Sequence, residues 1–377
     1  MKIGVMTCWQ PDDNYGTQIQ CFALQHYLKL TGNEPYLIQY LCQNDLEKKR
    51  NFKFFLKALN PYLVIRKICG LRKSKLQKAE TFSHNRGAPE FRMKYINLSK
   101  VYHTFDEIKK EPPKADLYIV GSDQVWNINP IHKKQFDAFF LNFGEESTKR
   151  ISYAASFGFE YKSIFKGYDD YASSYLKKLD GISVRELKAK ELCEKLGIYN
   201  AVQVADPTLL LSAEYYRKIY NENSFEKRSK KYILVYNLVS KSNIDIGKIK
   251  KFADKRQLDV VYVTGHGQVD SENKLYATIP EWLYLIDNAE YVITNSFHGS
   301  IFSSIFHKQF VVFPLKGNPT NSRLETLTDL LEQNRVVSDF LLAETKLDEQ
   351  IDWNTFEKNK SQTVQAGVEF LNRFIKR

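Results

Sequence analysis

Tyr291-Val292-Ile293-Thr294-Asn295-Ser296-Phe297-His298-Gly299-Ser300-Ile301-Phe302-Ser303-Ser304-Ile305 decides how this chain is read. An apolar, β-rich run meets small polar residues and a histidine, then Gly299 and apolar residues at helical spacing, so the stretch predicts strand, tight turn and helix. His298 falls where that helix begins. The free N–H groups and positive dipole end of a helix attract anions, and a histidine placed there can exchange a proton with a phosphate or carboxylate. A histidine that only closes the turn is the plainer alternative.

Working outward, the same pattern recurs. Lys2-Ile3-Gly4-Val5-Met6-Thr7 is continuously apolar, as a buried parallel strand is. The loop after it contains Asp13, Asn14 and Gly16, and a helix is expected from about Thr17 to Leu30. Tyr36–Tyr40 is the next strand. Ala115–Val120 runs into Gly121-Ser122-Asp123-Gln124-Val125-Trp126-Asn127, where a carboxylate beside an indole suits a sugar, or Asp123 simply caps a helix. Gly181–Glu186 is a strand with Arg185 at its end, placed to grip a phosphate or carboxylate at two points or to pair with Glu186. Asp206-Pro207 stops a strand and redirects the chain.

A second series then begins with Tyr232–Tyr236 and Asp259–Val263, passes the loop histidine His266, and opens a helix at Pro280. Phe310–Phe313 follows the His298 unit, and the loop after it carries Lys316 and Arg323, cations able to face the same cleft. A last helix from about Asn354 to Arg377 is long enough to pack back across the first domain.

With 377 residues the chain exceeds a comfortable single core, and two domains are expected. The boundaries read as 1–205, with a basic helical insert at about 45–110, then 206–350, then the C-terminal helix at 351–377. The five cysteines Cys8, Cys21, Cys42, Cys69 and Cys193 lack the close pairs of a zinc site or a disulfide framework, so no metal is expected. Cys8 has no neighbour in sequence that would make it a nucleophile.

Lys and Arg number 55 against 44 Asp and Glu, a net charge of +11. Residues 47–80 carry eleven basic side chains against two glutamates, a local net of +9, interleaved with Phe52, Phe54, Phe55 and Ile65. Such a segment can lie on an anionic membrane surface, or form solvated helices packed on the domain. No nucleic-acid module accompanies the charge, so no nucleic-acid partner is expected. No apolar run reaches the roughly 20 residues needed to cross a bilayer. The N-terminus begins directly as a strand, and a cytoplasmic location is expected, at the inner membrane face if the insert binds there.

Asn14-Tyr15-Gly16 with Gln20 to Leu24, Gly121–Asn127, Ser183-Val184-Arg185-Glu186, Asp206-Pro207-Thr208 and Thr294–Gly299 occur in an order that resembles the polysaccharide pyruvyl transferase family, over residues 1 to about 330. The resemblance implies an α/β fold of two Rossmann-like domains facing across a cleft, similar to the GT-B glycosyltransferases. It implies transfer of an enolpyruvyl-derived group from phosphoenolpyruvate onto two hydroxyls of a sugar, forming a pyruvate ketal, with no cofactor beyond the donor. His298 would be the general acid and Arg185 a donor-anion ligand, with Ser296, Gly299, Arg323 and Lys316 around the donor. Asp13, Asn14, Asp123 and Trp126 would face the acceptor sugar, which the basic insert would bring lipid-linked to the membrane. The alternatives are a nucleotide-sugar glycosyltransferase on the same fold and a non-catalytic polysaccharide-assembly protein.

Overall fold

The computed structural model describes residues 1–10, 12, 14–41, 85–127, 136–158, 167–238, 243–265, 272–315 and 322–375. The basic segment 47–80, Asp13, His266 and Lys316 lie outside the described residues.

Apolar runs at the start of the chain build a parallel sheet. Its strands are β1 (Lys2–Met6), β2 (Glu34–Tyr40), β3 (Leu98–Tyr102), β4 (Leu117–Val120) and β5 (Lys149–Ser152), in the spatial order β3-β2-β1-β4-β5. Central β4 is buried along its whole length, as a parallel strand covered on both faces must be. A short parallel pair, β6 (Ser183–Val184) and β7 (Val202–Gln203), continues beyond β5 through bridges at Ile151–Gly181 and Ala155–Val184. The second sheet is also parallel: β8 (Tyr232–Asn237), β9 (Asp259–Thr264), β10 (Tyr291–Thr294) and β11 (Gln309–Val312), in the order β11-β10-β8-β9. Both sheets are doubly wound. Each therefore has a switch point at the carboxyl ends of its strands, between β1 and β4 in the first and between β8 and β10 in the second.

Twelve described helices connect and cover these strands: α1 (Tyr15–Leu30), α2 (Ala88–Tyr95), α3 (Phe105–Lys110), α4 (Tyr168–Leu176), α5 (Leu187–Lys195), α6 (Ala213–Asn221), α7 (Ile246–Lys255), α8 (Ile279–Asp287), α9 (Phe297–Ile305), α10 (Ser322–Leu331), α11 (Phe340–Asp348) and α12 (Trp353–Asn372). α8 starts on a reciprocal cap between Thr278 and Glu281 with proline in its first turn. Part of the stretch read as insert belongs to the first sheet: β3 pairs with β2, and α2 and α3 flank it. β3 is an edge strand with two exposed residues among its five, so it lacks the apolar run that marks the central strands.

α1 lies between the two halves. Leu24 and Leu28 pack with Ile3, Val5 and Leu117 of the first sheet. Tyr15, Ile19 and Phe22 join the core formed by Trp282, Phe297 and Ile301 of the second. Tyr15 stacks on Trp282 at 5.2 Å and donates to the Ala277 carbonyl at 2.7 Å. Arg86 adds another tie, its guanidinium donating to the carbonyls of Thr264 and Gly265 at the end of β9. α12 also spans both halves, with Phe356 in the core of the second and Phe370 and Leu371 against Ile3 and Ile151 of the first.

Candidate functional site

The carboxyl ends of β1, β4, β6, β7 and β10 converge where α1 and α9 begin. Ser296 caps α9 by accepting the Gly299 N–H at 3.2 Å, which sets His298 in the helix's first turn. Asn14 caps α1 by accepting the Thr17 N–H at 3.4 Å. The two amino-terminal turns meet: a Cβ added at Gly16 would overlap His298 Nδ1 and Cγ. Glycine is therefore required here by close approach. The backbone N–H groups of Gly16 and His298 make no hydrogen bond among the described residues. Two positive helix ends thus face one another across the His298 ring.

Behind the ring is a buried polar network. Asp206 caps the 3₁₀ turn Pro207–Leu210, its Oδ1 accepting from the N–H and hydroxyl of Thr208 at 3.0 and 2.7 Å. Its Oδ2 accepts from Arg185 Nη1 at 2.8 Å and Ser122 Oγ at 3.3 Å, and lies 3.6 Å from His298 Nε2. That last separation is too long for a hydrogen bond. Arg185 Nε pairs with Glu186 at 3.0 Å, and the guanidinium lies over the Phe297 ring. Burial works to raise the Asp206 carboxyl, but His298, Arg185 and the Thr208 N–H together hold it well below the usual carboxylate range. For Arg185, burial opposes the charge, and Glu186, Asp206 and Asp123 outweigh it to keep the guanidinium protonated. Arg185 Nη2 and His298 Nε2 are buried and lack a hydrogen-bond partner among the described residues.

On the side of the first domain, Asp123 adopts φ 76°, a left-handed conformation that Asp tolerates better than most residues. Its carboxylate accepts from Thr17 Oγ1 at 3.0 Å, tying the turn after β4 to the first turn of α1. Thr7 Oγ1, donating to the Ser122 carbonyl at 2.7 Å, links the two strands at the switch point.

Of the residues expected from sequence, His298, Arg185, Ser296, Gly299, Asn14 and Asp123 are gathered in this region, while Asp13, Lys316 and the Arg323 side chain lie outside the described residues. Three roles change. Trp126 is fully buried, donates to the Phe139 carbonyl at 3.2 Å and packs on Phe140 and Phe157, so it offers no face to a sugar. Gly299 cannot present its N–H to a ligand, because Ser296 Oγ takes it; it is glycine because a Cβ would sit 2.6 Å from Thr294 Oγ1. Arg185 is 1% exposed and is turned inward onto two carboxylates, a holding role rather than a grip on substrate. Among the thiols, burial pushes Cys21 and Cys193 up to about 12, and Cys8 is half-buried. No group of three or more His, Cys, Asp or Glu able to hold a metal occurs among the described residues.

Sequence reasoning read Asp206 as a chain reversal and as part of the family motif but gave it no site role, although the Asp-Pro-Thr run, an aspartate two residues before a threonine, carries the signature of a side-chain cap. The pairings of Ser122 with Arg185 and Asp206, and of Thr17 with Asp123, gave no signal, because the partners are far apart in sequence.

Two doubly wound parallel sheets joined through α1 and α12, with their site at facing strand ends, define a GT-B-type protein. The UDP-GlcNAc 2-epimerase of Methanocaldococcus jannaschii, solved with UDP-GlcNAc and UDP, shares this architecture at a TM-score of 0.53 and 15% identity, over 99% of each chain. The UDP-N-acetylglucosamine 2-epimerase of Rickettsia bellii does so at a TM-score of 0.52 and 12% identity, over 99% of this chain and 95% of that one. These similarities concern the fold. Within that class, the family model of the polysaccharide pyruvyl transferases matches residues 14–317, and the chain belongs to that family. No curated protein matches it in sequence.

Proposed function

We propose that this pyruvyl transferase takes phosphoenolpyruvate as donor and forms a cyclic pyruvate ketal on two hydroxyls of a saccharide. In that reaction the donor's methylene carbon gains a proton, two C–O bonds form at the adjacent carbon and its bond to the phosphate oxygen breaks. Of the two hydroxyl protons, one balances the proton placed on carbon and the other leaves with phosphate. The observation that supports this reading best is the position of His298, a titratable ring in the first turn of α9, opposed by the first turn of α1 and backed by an ionised Asp206. The N–H groups of Gly16 and His298, without a hydrogen bond among the described residues, suit an anionic donor, and a histidine between the helix starts suits proton transfer to carbon. Asp123 and Asn14, on the first-domain side, line the acceptor approach.

No helix among the described residues is long and apolar enough to cross a membrane. The net +9 of residues 47–80 is read as an anchor to anionic lipid that brings a lipid-linked acceptor to the site. Deletion of 47–80 that leaves sedimentation with phosphatidylglycerol vesicles unchanged removes this part of the reading.

Isothermal titration tests the donor. Phosphoenolpyruvate is expected to bind the full chain, and His298→Ala is expected to lower phosphate release in the presence of acceptor by about 10²–10⁴-fold. Binding of UDP-GlcNAc and not of phosphoenolpyruvate would replace this reading with a nucleotide-sugar transferase. Binding of neither, with an inert His298→Ala phenotype, would leave a non-catalytic assembly protein.

A further inference from the structure

If His298 is the proton-transferring group, the structure also distinguishes between its two nitrogens. Nε2 faces Asp206 at 3.6 Å and has no hydrogen-bond partner among the described residues. The four other polar contacts of the Asp206 carboxylate come from donors: the Thr208 N–H and hydroxyl, Arg185 Nη1 and Ser122 Oγ. A carboxylate so surrounded is an acceptor only, so the nitrogen that faces it carries a hydrogen. Nδ1 lies on the other side of the ring, over the bare Cα of Gly16. The first turn of α1 brings Tyr15, Gly16 and Thr17 to this side, none of them charged, and Asp123 is engaged by the Thr17 hydroxyl. Among the described residues, the remaining charged groups nearby, Arg185 and Glu186, stand behind Asp206 and pair with each other. In the neutral ring, the facing helix ends further favour the hydrogen on Nε2 over Nδ1.

We infer that Asp206 is a positioning residue that holds His298 as the Nε2–H tautomer and makes Nδ1 the nitrogen that exchanges protons with substrate. Arg185 and Ser122 keep Asp206 in place. The imidazolium gives its Nδ1 proton to the donor's methylene carbon, leaving a neutral ring with a lone pair on Nδ1. That lone pair then accepts the proton of one acceptor hydroxyl and restores the imidazolium, while the other proton stays on Nε2, facing the Asp206 carboxylate. The other hydroxyl proton departs with phosphate.

The test is a long-range ¹H–¹⁵N spectrum of the full chain labelled at histidine, with His298 assigned by its absence in His298→Ala. Above the titration of the ring, a pyridine-like Nδ1 and a pyrrole-like Nε2 are expected. The opposite pattern in the wild type overturns the inference. Asp206→Asn is expected to abolish the tautomer preference and to slow transfer by about 10²–10⁴-fold; a folded Asp206→Asn that keeps both overturns it as well. Should that variant not fold, the wild-type spectrum still decides. If His298→Ala retains transfer, the functional reading fails while the tautomer result stands. If His298→Ala is inactive and the tautomer is Nδ1–H, this inference alone fails.

Discussion

At Gly16 a single hydrogen atom separates the α1 backbone from the His298 ring. Gly16→Ala is expected to displace the imidazole and to cut transfer by about 10²-fold or more, since a shift of about 1 Å in a reacting group has that effect. Unchanged turnover in a Gly16→Ala enzyme would show that α1 does not constrain the ring. Asp206 carries a second prediction at this scale. Its carboxyl is held below the ordinary range in the folded chain, so its ionised form stabilises the fold above the unfolded value of about 4. That stabilisation is lost as pH falls from there through the folded value. Thermal midpoints of wild type and Asp206→Asn measured from pH 7 downward should therefore converge on acidification. A constant gap would mean that the stabilisation does not depend on the charge. His298 could be singled out from sequence because strand, small polar residues, histidine and glycine are contiguous. The pairings of Ser122 with Arg185 and Asp206, and of Thr17 with Asp123, could not, because they join positions about 60 to 110 residues apart, which no local pattern encodes.

Among the elements, the turn after β4 shows how one motif divides its labour. Gly121-Ser122-Asp123 points inward and across to Arg185, Asp206 and Thr17, whereas Val125 and Trp126 complete the core on the opposite side. Trp126→Ala should cost about 3–5 kcal/mol of stability, the usual range for deleting a large buried aromatic side chain. Chemical denaturation checks this, and the acceptor KM of the folded fraction should stay within about twofold. A raised KM with unchanged stability would return the indole to the acceptor site. Some helices with a cap or an apolar stripe were read from sequence, but the capped α7 and α11 were not. α8 has both, whereas α2 and β3, short and polar, were hidden in the basic stretch before them. Asn14 moves the start of α1 two residues earlier than the apolar pattern alone indicates.

Across the whole molecule, the boundary between the two sheets is not a loose hinge. α1 contributes to the cores on both sides, Tyr15 stacks on Trp282, Arg86 reaches the end of β9, and α12 packs against both halves. Interfaces between domains that lack such a shared core move and melt independently. Calorimetry should therefore show one unfolding transition. Two resolved transitions would indicate that α1 and α12 do not couple the halves. The same packing fixes the distance between the two helix starts, so the site depends on both domains being in register.

Sequence by itself determined most of the strands and their repetition: apolar runs of strand length ending in small polar residues, each followed by a helix, call for parallel sheets covered on both faces. It also determined the one histidine at a helix start and the concentration of charge in 47–80, because both are local properties of the chain. Tertiary structure decided which polar residues share a site. An arginine at a strand end is equally suited to bind a ligand or to hold an aspartate, and only the approach of Asp206 and Glu186 turned Arg185 inward. An indole near a carboxylate can serve a sugar or a core, and the packing of Phe140 and Phe157 enclosed Trp126. In each case the outcome depends on distances across the fold, where burial favours pairing a charge or polar group over leaving it unpartnered.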